Sequence, residues 1–171
     1  TWWQPTGQPE TFTPAIMDAY GNKTDLYAPV QLLNSQIKNW GPTLMRLTSQ
    51  AVYHSGYQHS GCVKLPSGFF WQPTNPNANV ITSFFTDENG RYYVMVVNRT
   101  LTDTSTHTFK INPKPASVTE ISKSTGQEVS TNYNPSTGTL SATFAPGEGR
   151  LYALPVGYPS GFATYRAHVQ D

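Results

Sequence analysis

Two histidines and the single cysteine lie close together in the segment HSGYQHSGC, residues 54–62. His54, His59 and Cys62 carry imidazole and thiol groups, which are ligands for zinc or copper. Their spacing matches no zinc-finger pattern, and no fourth ligand is evident. Glycine-rich loop residues beside a strand explain the segment equally well. We therefore predict no metal ion and no cofactor.

Catalytic side chains are also hard to assign. Ser35 and Lys38 have the spacing found in one class of acyl-serine enzymes, but the companion motifs S-D-N and K-T-G are absent. Glycoside hydrolysis needs two carboxyl groups about 5 to 10 Å apart, on opposite sides of one bond. Among the 10 acidic residues, we expect Asp87 and Glu88 in a hairpin turn, Asp103 and Glu128 on exposed segments, and Asp18 and Asp25 beside the start of a predicted helix. We assign no catalytic residue within this chain.

Large aromatic side chains in non-periodic segments are the strongest candidates for ligand binding. Trp2 and Trp3 lie in TWW, and Phe69, Phe70 and Trp71 lie in GFFW, both in segments rich in proline or glycine. A planar ring can stack on the C–H face of a sugar, so Trp2, Trp3 and Trp71 are the predicted substrate-binding residues. The competing interpretation, which we favour for GFFW, is that these rings fill an interface between a helix and a sandwich.

One segment, residues 24–40, has the periodicity of an amphipathic helix. Thr24 or Asn22 can cap its start, Pro29 fits only its first turn, and Gly41 and Pro42 predict its end. Apolar residues recur every three or four positions and predict one face that packs against a sandwich: Leu26, Tyr27, Val30, Leu33, Ile37 and Trp40.

After residue 49 the pattern changes to short strands. Residues 80–86 and 91–98 flank the turn DENG and form the strongest hairpin signal. Both faces of residues 91–98 are apolar, which predicts a central strand covered on each side. The segment LPSGFFWQPTNPNANV is assigned to a loop, and the other strand candidates are QAVYHS, THTFKIN, SVTEIS, GQEVS, GTLSATF and GRLYAL. About eight strands without intervening helices predict a mainly β fold, an antiparallel β-sandwich preceded by one helix.

Composition narrows the classes of partner. The chain has 171 residues, enough for one main domain, with 12% charged residues and a net charge of +1. We therefore expect no nucleic acid and, without a long apolar stretch, no membrane as partner.

Cys62 has no second cysteine with which to form an internal disulfide. Two triplets, beginning at Asn22 and Asn98, fit the pattern for N-glycosylation.

Three stretches together resemble the C-terminal region of a barrel-type glycoside hydrolase followed by its β-sandwich domain. They are TWWQP at 1–5, AIMDAYGNKTDLYAPVQLLNSQIKNWGPTLMRL at 15–47, and APGEGRLYAL at 145–154. The resemblance covers nearly the whole chain, and the residues that match its motifs are Asp18, Gly21, Thr24, Tyr27, Asn34, Ile37, Lys38 and 146–152.

The resemblance implies three parts. Residues 1–48 would be the last strand end and the last helix of a catalytic barrel, residues 49–157 the β-sandwich, and residues 158–171 a tail. The chain would be the non-catalytic C-terminal part of a secreted, periplasmic or cell-surface enzyme, with the catalytic carboxylates on earlier barrel strands. Its expected partners are that barrel, a carbohydrate bound by Trp2 or Trp3, and a second copy of the chain.

Two alternatives stay open at this point. A self-standing carbohydrate-binding module would use the loop aromatics, and mutation of Trp71 would abolish its binding. A small independent hydrolase would require two acidic residues of this chain to form a catalytic pair, contrary to the assignment above.

Overall fold

A computed structural model describes residues 15–18 and 20–159. Within them the chain forms one helix and nine strands in two antiparallel sheets, which confirms the predicted mainly β fold with a helix ahead of the sandwich. The elements are α1 Tyr27–Leu44, β1 Thr48–His54, β2 Trp71–Pro73, β3 Val80–Thr86, β4 Tyr92–Asn98, β5 Ser105–Ile111, β6 Thr119–Ile121, β7 Glu128–Ser130, β8 Thr139–Phe144 and β9 Gly149–Ala153. No helix in these residues is long and apolar enough to cross a bilayer.

The larger sheet has the order β1-β3-β4-β9-β6-β7 and the smaller one has the order β2-β5-β8. Residues of β1 to β5, β8 and β9 point between the two sheets, where they form the main apolar core. Its largest side chains are aromatic and fully buried: Trp71, Phe84, Phe109, Phe144 and Tyr152. The sandwich is therefore held together chiefly by ring packing between its sheets.

The β3–β4 hairpin has the predicted arms and turn, and its register runs from Val80 opposite Asn98 to Thr86 opposite Tyr92. In its turn the Asp87 carboxylate accepts hydrogen bonds from the backbone N–H groups of Asn89 and Arg91, both at 2.9 Å. Gly90 takes φ +74°, a conformation that costs glycine little. The sequence prediction of this hairpin is confirmed.

Strand β4 lies in the middle of the larger sheet and is covered on both faces, as its apolar sequence predicts. Val94 and Val96 point into the core between the sheets. Tyr93 points to the opposite face, where a second buried cluster joins it to Ile121, Leu151 and Ala153. Trp40 and Leu44 from the end of α1 pack on that second cluster. The helix is thus the cover for the outer face of the larger sheet.

Polar contacts fix the end of α1 on this sheet. The Asn39 amide donates to the carbonyls of Lys123 and Ser124, each at 2.8 Å, and the Trp40 indole N–H donates to the Ile121 carbonyl at 2.8 Å. The chain between β6 and β7 turns directly under the helix at Gly126. A Cβ atom on Gly126 would overlap the Asn39 carbonyl oxygen. Only a glycine allows the helix to lie this close to the turn.

Both predicted ends of the helix differ from the structure. Neither Thr24 nor Asn22 caps it: no side chain caps the Leu26 N-cap position, and the Thr24 hydroxyl donates to the Ala15 carbonyl instead. At the other end α1 continues through Gly41 and Pro42 to Leu44. Burial of the last turn against the sheet outweighs the stop signals there, because tertiary packing routinely overrides local propensity.

Strand β2 lies in the segment that the sequence assigned to a loop. Trp71 pairs with Ile111 and Pro73 with Phe109 at the edge of the smaller sheet. Proline is tolerated on an edge strand because its missing N–H removes no ladder bond on the open side. The proline and asparagine residues that favour a loop therefore do not prevent this short strand.

Two glycine substitutions separate the steric cost of a Cβ atom at Gly126 from the cost of a positive φ angle. Gly126 and Gly90 have nearly equal φ angles, +72° and +74°, but a Cβ on Gly90 would meet nothing within 4 Å. We expect Gly90→Ala to lower the free energy of unfolding by about 1–2 kcal/mol. Gly126→Ala should cost a further 1–3 kcal/mol or so, because it displaces the helix. Urea denaturation measures both, and equal losses would contradict the close helix contact.

Candidate functional site

The aromatic residues predicted to bind a saccharide do not form a site in the described part of the chain. Trp2 and Trp3 lie outside the described residues. Trp71 is 0% exposed, and its ring centroid lies 5.7 Å from that of Phe109 and 5.6 Å from that of Tyr152. No face of its ring is free to stack on a sugar. The prediction for Trp71 is therefore corrected: it is a core residue, because the alternation of β2 points it inward.

The competing interpretation of GFFW is closer to the structure, although the interface it fills is a different one. Phe69 and Phe70 are also buried, and their rings pack on each other and on Phe84. They belong to the core between the two sheets. The helix packs instead on the opposite face of the larger sheet.

The histidine and cysteine segment has the character of a structural loop. The backbone of His54 bonds to Val63 and Leu65, while the His59 ring packs edge-on against Tyr57 at 5.0 Å. Burial lowers the pKa of His54, and the positive charges of Arg99 and His59 lower it further. Within the described residues no three side chains from histidine, cysteine, aspartate or glutamate come together as a metal site.

Glu120 and Glu148 are two carboxylates that the sequence analysis did not identify as candidates, and both lie beside one arginine. One guanidinium, that of Arg150, lies 3.3 Å from a Glu120 oxygen and 3.4 Å from a Glu148 oxygen. The Lys123 ammonium lies 2.6 Å from the same Glu148 oxygen. The two positive and two negative groups give this cluster no net charge. Of the four, Glu120 and Arg150 border a cleft of about 310 Å³ whose other walls include Ser130, Asn132, Thr143 and Tyr152.

The two carboxyl groups have pKa values shifted in opposite directions. Burial raises the pKa of Glu120, although Arg150 partly offsets the shift. Burial also opposes ionisation of Glu148, but hydrogen bonds from Lys123 and from the Ala145 N–H outweigh it and hold its pKa below the usual value. Opposite shifts are typical of an acid and base pair. Here, however, both groups bind one arginine, so they are not arranged on opposite sides of a substrate bond.

Ser35 and Lys38 lie exposed on the surface of α1, in agreement with the interpretation that their spacing is a coincidence. Neither the helix nor the sandwich brings a second catalytic group to them among the contacts of the described residues. The surface around them is nevertheless unusual. Lys38 is the one charged residue in the 18 residues of α1.

The most distinctive surface is the apolar face of α1. We define the exposed stripe as Leu26, Leu33 and Ile37, which are 53%, 53% and 51% exposed. At helical spacing they continue the line of Trp40 and Leu44, which pack on the larger sheet. The prediction that the whole face packs is therefore wrong for these three residues. The accompanying expectation, that part of this face is under-covered, holds for residues 15–18 and 20–159, which the structure describes.

Comparison of the chain with protein-family models, with curated proteins and with solved structures finds no match.

The energetic contribution of the exposed stripe can be measured in the isolated chain. We expect Leu33→Ala to lower the free energy of unfolding by less than about 0.5 kcal/mol, because the side chain is half exposed and alanine favours a helix. Leu140→Ala, in the core between the sheets, should cost about 2–5 kcal/mol. Urea denaturation compares the two. Similar losses would mean that the stripe is already covered.

The two carboxylates should give opposite pH dependence. The lowered pKa of Glu148 makes its contribution present above the ordinary value of 4.5 and lost as the pH falls through its folded pKa. The raised pKa of Glu120 makes its contribution present below 4.5 and lost as the pH rises through its folded pKa. Urea denaturation across acidic pH should show that Glu148→Gln removes a rise in stability with pH, whereas Glu120→Gln removes a fall. The same sign for both variants would contradict this assignment.

Proposed function

We propose that the chain is the non-catalytic β-sandwich part of a secreted glycoside hydrolase, and that the exposed stripe packs against the catalytic barrel of the same polypeptide. One observation carries the proposal: a single apolar line on α1 is packed at one end and exposed at the other. In this arrangement the helix packs on two separate parts of the polypeptide. Its last turns cover the sandwich, and its earlier turns face the barrel.

The composition of the helix supports an interface. Scattered exposed apolar residues are normal on a protein surface, but the three residues of the stripe lie on one line that continues into the buried cluster. Complete burial of a leucine or isoleucine stabilises by about 1.5–3 kcal/mol. The centres of protein interfaces are depleted of charge, and α1 carries only Lys38. These features favour a second packed surface over a solvated one.

The choice of partner rests on the sequence resemblance. The helix with the exposed stripe is the segment that resembles the last helix of a glycosidase barrel, with Asn34, Ile37 and Lys38 at the matching positions. The strand after Pro146 matches the closing strand of the sandwich in the same enzymes. The carboxylates of Glu120 and Glu148 share Arg150, which favours a supporting role over an independent hydrolase.

In this proposal Trp2 and Trp3 are the residues that bind carbohydrate. The aromatic residues that remain exposed in the described part are Tyr20 and Tyr57, and Trp71 is in the core. A self-standing carbohydrate-binding module therefore loses the one described residue on which it was predicted to depend. We retain the supporting sandwich as the proposed function.

A matched pair of substitutions tests the docking surface. In the polypeptide encoded by the complete gene, we expect Leu33→Asp to lower the melting temperature and the glycosidase activity, because it places a charge in the proposed interface. Leu32→Asp is the control, since Leu32 is also exposed but lies on a different side of the helix. In the isolated chain neither variant should change the melting temperature by more than a few degrees.

Two outcomes would contradict the proposal. One is a complete gene that encodes no barrel ahead of these residues. The other is an equal response of the complete polypeptide to Leu33→Asp and Leu32→Asp. Hydrolysis of an aryl glycoside by the isolated chain would instead support an independent hydrolase.

A further inference from the structure

The two triplets that fit the N-glycosylation pattern are equivalent in sequence but not in the fold. Asn98 is 0% exposed at the end of β4. Its amide nitrogen donates to the carbonyls of Asp103 and Ala145, both at 3.1 Å. Its amide oxygen accepts from the hydroxyl of Thr100 at 3.0 Å and from the Thr100 N–H at 3.3 Å. Both amide hydrogens of Asn98 are therefore used inside the protein.

A sugar on Asn98 is incompatible with these contacts. An N-linked glycan replaces one of the two amide hydrogens and needs open space beyond the nitrogen. At Asn98 the substitution would break a bond to Asp103 or to Ala145 and would force the side chain out of the fold. A chain modified at this position could not reach the described structure.

Asn22 has the opposite environment. It is exposed in the turn between Met17 and Lys23, and a Cβ on the neighbouring Gly21 would meet no atom within 4 Å. Its amide nitrogen makes one bond, to the Asp18 carboxylate at 2.9 Å. A glycosylated amide keeps one N–H, so this bond and a glycan are compatible. The backbone N–H of Asn22 also donates to Asp18, at 2.8 Å, which holds the turn in place.

We propose that Asn22 is an N-glycan acceptor of this protein and that Asn98 is not. In the transfer, the Asn22 amide nitrogen forms a bond to the anomeric carbon of a lipid-linked oligosaccharide diphosphate. The bond from that carbon to the diphosphate oxygen breaks, the diphosphate leaves with the electron pair, and the amide nitrogen releases one proton to solvent. The proposal rests on secretion, which is part of the proposed function, but not on contact with a barrel.

Expression of the full chain with a secretion signal in insect cells tests this assignment. Intact mass before and after treatment with peptide N-glycosidase should show one glycan on the secreted protein. Asn22→Gln should remove that glycan. Thr100→Val, which destroys only the second triplet, should leave the glycan mass unchanged. Peptide mapping of the wild type locates the sugar independently of whether the variants fold.

A glycan on the peptide that contains Asn98, or no glycan on the one that contains Asn22, would overturn the assignment. Either result leaves the docking proposal intact, because that proposal is read from Leu33→Asp and Leu32→Asp. Conversely, if Leu33→Asp and Leu32→Asp act equally on the complete polypeptide while Asn22 carries a glycan, the docking proposal fails and the glycosylation assignment stands.

Discussion

The approach of the Asn39 backbone to the turn at Gly126 sets the position of the helix on the larger sheet. With no side chain at Gly126, the Asn39 amide reaches the carbonyls of Lys123 and Ser124, and Trp40 reaches that of Ile121. These directional bonds hold the last turns of α1 over the second apolar cluster. The direction of the helix follows from this anchor, and its earlier turns extend away from the sheet.

Coverage of β4 and exposure of the stripe are two consequences of the same anchor. The outer face of β4 carries Tyr93, which needs a cover, and the end of α1 supplies one through Trp40 and Leu44. A helix of 18 residues is about 27 Å long, longer than this contact requires. In the earlier turns Leu33 and Ile37 stay about half exposed in the described part of the chain. A second body that packs there would complete the burial begun by the sheet.

The sequence predicted elements wherever local and long-range preferences agree. The β3–β4 hairpin has a strong turn around Gly90 and bulky β-formers in both strands, so its two arms and its turn could be predicted. The end of α1 could not, because burial of Thr43 and Leu44 opposes the stop signals at Gly41 and Pro42. Trp71 was misplaced for a related reason: its strand has three residues and pairs with β5, which is distant in sequence. The cluster around Arg150 likewise joins β6 to β9, and no short motif encodes that contact.

Trp40 and Leu44 at one end of the apolar line on α1 pack on the sandwich, and we propose that a second body covers the exposed stripe at the other end. Carbene footprinting with mass spectrometry measures this directly, since it reports the solvent exposure of individual side chains. In the isolated chain we expect strong labelling of Leu33 and Ile37 and weak labelling of Trp40 and Leu44. In the polypeptide from the complete gene, all four should be protected. Unchanged labelling of Leu33 and Ile37 in that polypeptide would contradict the account.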